Sequence, residues 1–296
     1  MSHVLIFTGQ GSHRPGMGYN LYNEFPKVKS KFDDAESILG FDIKEIMFSD
    51  NEELLRKTKY AQIAIYLYSV CLFDILSPKI GEIKAVAGHS LGEFSALYSN
   101  KTYSFETGLR IVHARSKAMN ICEEKYPGAM TAVIGIEKEK LDQICKLYSS
   151  QIANINSANQ IVISGTTESV KKTSEYLTTL KIKSIPLKVS GAFHSNLMSE
   201  AKDSLKKIIN DSKFSKPYVP IISNIDAQAK VEIDDIKYAL IHQVDSPVLW
   251  YDSIFSLKSF SNSFVELGPK SVLSAMVKKI DNSLQTIHYN SYNDLI

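Results

Sequence analysis

The sequence predicts an α/β protein in two parts, a large domain on a parallel sheet and a small subdomain inserted into it. Three observations carry that expectation. Short, predominantly apolar runs at residues 4–8 and 83–87 fit buried strands. Gly88-His89-Ser90-Leu91-Gly92 matches G-x-S-x-G and lies between the second of these strands and a helix opening at Glu93, the context that gives the motif meaning. Between Gly128 and Ser190 the expected elements run β-α-β-β-α-β, the ferredoxin-like order.

Taken in order, the first strand, Val4 to Thr8, runs into Gly9-Gln10-Gly11-Ser12-His13. This loop lacks the third glycine of a dinucleotide fingerprint and any Gly-Lys-Ser/Thr. It reads instead as a loop that places Gln10 at the carboxyl end of a strand, where α/β sites form. Residues 21–39 are helical in pattern with an interruption near Pro26, and residues 60–76 form a long helix with Ile63, Leu67, Val70 and Leu76 at near-helical spacing. At the Ser90 turn, flanking glycines are needed because side chains there would crowd the reversal. A helix over 105–119 carries His113 and Arg115, and Pro127-Gly128 marks a break. In the insertion, strands are expected at 129–136, 152–155, 161–164 and 182–189, with helices at 137–147 and 170–180. Strands at 219–223 and 264–269 and helices at 234–244 and 271–280 return to the large domain, followed by a short strand and a frayed tail from Asn282. The expected division is 1–126 with 190–296 for the large domain, and 127–189 for the small one.

The 296 residues are 44% hydrophobic and 22% charged, enough for a sizeable core in a soluble chain. A net charge of +2 gives no case for a general nucleic-acid binder. Cys71, Cys122 and Cys145 are widely spaced with no C-x-x-C pair, which fits reduced thiols rather than a disulfide framework or a zinc site. No metal and no bound cofactor are expected. The N-terminal apolar run is too short for a signal peptide, and no stretch approaches the roughly 20 apolar residues that span a bilayer. The expected address is the cytoplasm, with no membrane partner, and the expected state is a monomer.

A neutral serine hydroxyl is a poor nucleophile and needs a base. Of the seven histidines, His194 follows Gly191-Ala192 directly after a strand, which places an imidazole at a strand end. His89 is adjacent to Ser90 and should point away from it. The helix N-terminus and the Leu91 amide should face whatever Ser90 attacks. A carboxylate to orient His194 is expected between the serine and the histidine, yet neither Glu93, Glu106 nor Asp142 sits at an obvious strand end.

Five separated motifs occur in one order: Gly9-Gln-Gly-Ser12, Gly88-His-Ser-Leu-Gly-Glu93, Arg115, Gly191-Ala-Phe-His-Ser195 and Gln243-Val-Asp-Ser-Pro-Val-Leu-Trp250. Together they resemble the malonyl-CoA:acyl-carrier-protein transacylase family, and in appearance its discrete polyketide-synthase acyltransferases that act in trans. The stretches 154–165 and 265–269 look like family sequence as well. The resemblance implies a hydrolase-like α/β domain with a nucleophile elbow and a ferredoxin-like insertion. It implies that Ser90 is acylated, that His194 is its general base, and that Gln243 orients His194 through its backbone carbonyl. It implies an oxyanion hole at the amides of Gln10 and Leu91, and pairing of Arg115 with the carboxylate of a malonyl group. Phe193 would border the pocket for the acyl α-carbon. Malonyl-CoA would be the donor and an acyl carrier protein the partner, docking on Lys and Arg near the cleft between the subdomains. His13 stands where the family often has Gln, and Ser99-Asn-Lys-Thr102 replaces the usual small apolar residues.

Two other functions are compatible with parts of this sequence. An acyl-thioester hydrolase that clears carriers would share Ser90 and His194, but a hydrolase of simple acyl chains gains nothing from a buried cation at Arg115. A non-catalytic carrier-docking subunit would have no use for intact Gln10, Ser90, Arg115, His194 and Gln243.

Overall fold

The computed structural model describes residues 2–189, 191–291 and 294. Ser190, at the expected subdomain boundary, and much of the expected frayed tail lie outside the described residues. The strands, in chain order, are β1 (Ser2–Phe7), β2 (Glu82–Gly88), β3 (Gly128–Ile134), β4 (Gln151–Ser157), β5 (Gln160–Thr166) and β6 (Lys183–Pro186). After them come β7 (Ile221–Ile222), β8 (Ala229–Lys230), β9 (Ser263–Leu267) and β10 (Gln285–Tyr289).

Six strands form one sheet in the order β10-β9-β1-β2-β7-β8, parallel except for the edge strand β8. Along β1, Leu5 and Phe7 join the core on one face while Val4 and Ile6 join the core on the other. That alternation explains why the strand is apolar throughout: helices cover both faces. The larger core receives helices Thr58–Leu76 and Phe105–Lys125; the smaller receives Trp250–Lys258 and Leu273–Ile280. Helix Thr58–Leu76 is long and apolar enough to cross a bilayer, which the sequence reading did not anticipate, but 72% of that stretch is buried inside the protein. It is the central core helix, apolar on nearly every side. Helix Leu273–Ile280 is anchored by Glu266 of β9, whose carboxylate accepts from the amides of Val272, Leu273 and Ser274 at 2.7 Å each. Those are the unpaired donors of a helix start, and an anion suits them.

The second sheet is antiparallel, in the order β4-β5-β3-β6, backed by helices Lys138–Leu147 and Thr167–Thr179. The β-α-β-β-α-β order expected for the insertion is therefore present. Its entry and exit meet in a bridge between Pro127 and Gly191. The small sheet also leans on the large domain. Val248 bridges to Asn154, and backbone hydrogen bonds join Val248 to Ala153 and Ile155 at 2.9 Å.

Several elements differ from expectation for local reasons. Strand 219–223 shrinks to β7 because the Asn100 side chain occupies both backbone groups of Val219. The strand expected to reach residue 189 ends at Pro186, which has no N–H for the ladder. The helix expected over 234–244 stops at His242 and tightens into a 3-10 turn at Gln243–Asp245. Helices Ile43–Phe48, Glu52–Arg56, Ser199–Asp211 and Trp250–Lys258 were not anticipated.

Candidate active site

The site lies at the carboxyl ends of β1, β2 and β7, between the two sheets. β2 delivers Gly88 into a turn tight enough that a Cβ there would lie 1.9 Å from the carbonyl carbon of Gly92. A Cβ on Gly92 would lie 2.0 Å from the carbonyl oxygen of Phe7. Glycine is required at both ends of the turn, and Ser90 between them takes φ 52°, in the left-handed region. Gly9 packs equally close, so that a Cβ there would meet the His89 carbonyl oxygen at 2.2 Å. This contact brings the β1 loop against the Ser90 turn. Among the described residues, the amides of Gln10 and Leu91 donate to no protein acceptor.

Ser90 Oγ lies 2.8 Å from His194 Nε2. His194 Nδ1 faces two carbonyl oxygens, of Gln243 at 2.9 Å and Ser246 at 3.2 Å. Carbonyls only accept, so Nδ1 carries the proton and Nε2 presents its lone pair to the serine hydroxyl. The 3-10 turn that shortens the preceding helix is what turns the Gln243 carbonyl toward the ring. His194 also holds φ 58°. Both members of the pair thus sit in backbone conformations that only a well-supported site maintains. Burial, reinforced by the Arg115 charge, pushes the His194 imidazole down to about 3, so the ring is neutral at ordinary pH.

Arg115, on helix Phe105–Lys125, is 1% exposed. It is therefore not part of a salt bridge on the helix surface. Its Nη2 donates to Ser90 Oγ at 3.1 Å and to Gln243 Oε1 at 2.9 Å, and its Nη1 donates to Gln62 Oε1 at 2.6 Å. The guanidinium rests over the Phe94 ring, 5.3 Å from its centroid. Its Nε has no partner, and among the described residues no carboxylate comes within ion-pair distance. Burial lowers its affinity for a proton to about 9, and it remains a cation at neutral pH.

Further residues complete the turn, and the sequence did not reveal them. Asn224, just beyond β7, accepts from the Ser90 amide at 2.7 Å and donates to the Gly88 carbonyl at 2.7 Å. Gln62 is a lone buried amide on the most apolar helix, the one sign that it had a specific task. The Gln243 side chain donates to the Ser90 carbonyl at 2.9 Å and to Glu93 Oε2 at 2.6 Å. His89 turns from the serine, as expected, and meets Asn156 Oδ1 of the small sheet at 2.9 Å. A cavity of about 440 Å³ opens from Ser90, with Gln10, Phe193 and Met130 in its wall and Arg56, Lys188 and Lys270 also along it. His13 is buried in the same wall. Among the described residues no cluster suits a metal ion.

A hydroxyl whose proton points at a neutral imidazole, on a strand-to-helix turn with free amides alongside, is the equipment of serine-dependent acyl transfer. Comparison with known proteins agrees: the acyl transferase domain family matches residues 4–290, and the chain belongs to that family. Within it, a malonyl CoA-acyl carrier protein transacylase of Bacillus subtilis (strain 168) is 38% identical over 291 residues, covering 96% of this chain and 92% of its own. The polyketide biosynthesis malonyl CoA-acyl carrier protein transacylase PksC of the same organism is 35% identical over 290 residues, covering 95% of this chain and 98% of its own. Among solved structures, a malonyl-transacylase in complex with its type II PKS acyl-carrier protein superposes with a TM-score of 0.94 at 32% identity, covering 100% of this chain and 98% of the other. The structure of MCAT from Streptococcus pneumoniae gives 0.93 at 34% identity, over 100% and 98% of the two chains.

Proposed function

We propose that this chain is a malonyl-CoA:acyl carrier protein S-malonyltransferase serving fatty acid or polyketide biosynthesis. The observation that carries the reading is Arg115: a buried guanidinium, in direct contact with no carboxylate among the described residues, 3.1 Å from the serine hydroxyl. A carboxylate entering a desolvated pocket needs a fixed counter-charge, and a guanidinium offers a planar pair of donors for it. The names of the relatives point the same way.

In the proposed mechanism Ser90 is the nucleophile and His194 the general base. His194 Nε2 takes the Ser90 proton as Oγ attacks the thioester carbonyl, whose oxygen sits at the Gln10 and Leu91 amides. The same proton leaves with the CoA thiolate, giving a malonyl ester on Ser90. The phosphopantetheine thiol of the carrier then gives its proton to His194 and attacks that ester, and Ser90 recovers its proton. The Gln243 carbonyl holds the His194 tautomer throughout. Phe193 borders the acyl α-carbon and disfavours a methyl branch there. No metal or bound cofactor takes part.

We read the large part, 1–126 with 190–296, as a hydrolase-like domain with a nucleophile elbow, and 127–189 as a ferredoxin-like subdomain. The Pro127–Gly191 bridge at its neck supports that division. The protein works as a cytoplasmic monomer: one chain supplies every named site residue, and its three cysteines are free and buried. Loading with malonyl-CoA, with and without a holo carrier, tests the function against thioester hydrolysis. Malonyl should accumulate on the enzyme and pass to the carrier; free malonate released as fast without the carrier would make the chain a hydrolase.

A further inference from the structure

The resting charge balance of the pocket contains a second ionisable group. Glu93 follows the serine turn by three residues and is 2% exposed. Its Oε2 accepts from Gln243 Nε2 at 2.6 Å, and the Oε1 of the same amide accepts from Arg115 Nη2 at 2.9 Å. Only one orientation of the Gln243 amide serves both neighbours, because its oxygen must meet a donor and its nitrogen must meet the acceptors at Glu93 and Ser90. The amide dipole therefore lies in line between a buried carboxylate and a buried guanidinium. The nitrogen end of Gln243 also holds the Ser90 carbonyl, so this chain of contacts reaches the turn that carries the nucleophile.

We propose that Glu93 is the resident counter-charge of Arg115 in the free enzyme, coupled to it through the Gln243 amide, and that it takes up a proton when a carboxylated acyl group docks on Arg115. This rests on the reading of Arg115 as the carboxylate anchor. One buried cation balances one buried anion. When the substrate carboxylate arrives, the site holds two anions to one cation, and the anion that can discharge is Glu93. A neutral acyl group brings no such change. Glu93 touches no reacting atom; it is a positioning residue that sets how strongly Arg115 attracts a carboxylate.

The surroundings of Glu93 fit this exchange. Burial, with a smaller contribution from Asp226 beyond β7, pushes its carboxyl up to about 7, against hydrogen bonds from Gln243 and Asn224 and the Arg115 charge. Tyr103, from the turn before helix Phe105–Lys125, also faces it and is held neutral, chiefly by its own burial. Glu93 is thus poised to change charge near neutrality. Its protonated form leaves Arg115 with more unbalanced charge, so the preference for malonyl should be greatest at low pH and should fall as pH rises through about 7.

The test is the ratio of kcat/KM for malonyl-CoA to that for acetyl-CoA, in Ser90 acylation by the intact protein from about pH 6 to about pH 8.5. In the wild type the ratio should fall about tenfold across this range, the effect of one nearby buried charge. In Glu93→Gln, which keeps an acceptor for Gln243, it should be flat and no lower than the wild-type value at acid pH. A second measurement needs no change at Glu93. Calorimetric titration of Ser90→Ala at about pH 8, in buffers of different ionisation enthalpy, should show proton uptake with malonyl-CoA and none with acetyl-CoA. A strong malonyl preference that is flat with pH in the wild type, a slope that survives Glu93→Gln, or equal proton uptake with both ligands overturns the role of Glu93 and leaves Arg115 as the anchor. A ratio near one at every pH overturns the anchor itself, and the proposal with it.

Discussion

At the residue scale the site is a neutral imidazole and a cation converging on one hydroxyl. Arg115 and His194 both approach Ser90 Oγ, and the cation makes the imidazole a weaker base. In the proposed mechanism a malonyl carboxylate on Arg115 would offset that charge and restore basicity to His194, whereas acetyl would not. Replacing Arg115 by Ala should therefore cost malonyl transfer about 2–5 kcal/mol, tens- to thousands-fold in kcat/KM, while acetyl transfer holds or rises. Competition between malonyl-CoA and acetyl-CoA measures this, and an unchanged ratio in Arg115→Ala would contradict it. The direction of the His194 shift gives a pH prediction. A base must be unprotonated, and a pKa pushed down to about 3 keeps His194 neutral as pH falls well below the usual histidine range. Acylation by acetyl-CoA, whose acyl group is uncharged, should show no loss centred near pH 6.5; a half-point there would mean an ordinary, solvated histidine. Ser90 and His194 were named from the G-x-S-x-G turn and a strand-end histidine, and the roles of Arg115 and the Gln243 carbonyl from a family resemblance. Gln62, Asn224 and the Gln243 side chain were not, because their partners are 53, 134 and 128 residues away along the chain and only the fold brings them together.

At the element scale the strand-to-helix turn is fixed by close backbone contacts rather than by side chains. Gly88 and Gly92 were legible as glycines a sharp turn needs; the surfaces they press against were not. Gly92→Ala would drive a methyl to 2.0 Å from the Phe7 carbonyl oxygen, a backbone atom of β1 that cannot step aside. The expected loss of stability is about 3 kcal/mol or more, read by urea denaturation, together with loss of acylation. A variant of unchanged stability would contradict the packing. Element boundaries show the same limit of sequence reading. The pattern over 234–244 is helical, yet the chain tightens at Gln243 so that its carbonyl reaches His194. Apolar periodicity reports where a helix buries its face and carries no signal for a last turn bent to serve a ring elsewhere. Ser199–Asp211 could have been read from Ala201, Leu205 and Ile209, which recur every four residues and are all buried.

For the whole molecule, the parallel sheet supplies the site and the antiparallel sheet closes one side of it. Short apolar runs and the β-α-β-β-α-β order made both sheets legible. Their mutual placement was not, because it depends on the bridge between Val248 and Asn154 and on the His89 contact to Asn156. Arg56, Lys188 and Lys270 lie along the cavity in a chain whose net charge is only +2. Local rather than overall charge would therefore attract an acidic carrier. The KM for the carrier should rise several-fold between about 0.05 and about 0.3 M salt, as screening shortens the reach of those charges. A salt-independent KM would place docking on an apolar surface instead.

The central claim is that Ser90 carries the malonyl group between two thiols. Intact-protein mass spectrometry after mixing with malonyl-CoA tests it most directly. The wild type should gain one malonyl adduct and lose it to a holo carrier, and Ser90→Ala should gain none. An adduct of equal yield on Ser90→Ala would contradict the account.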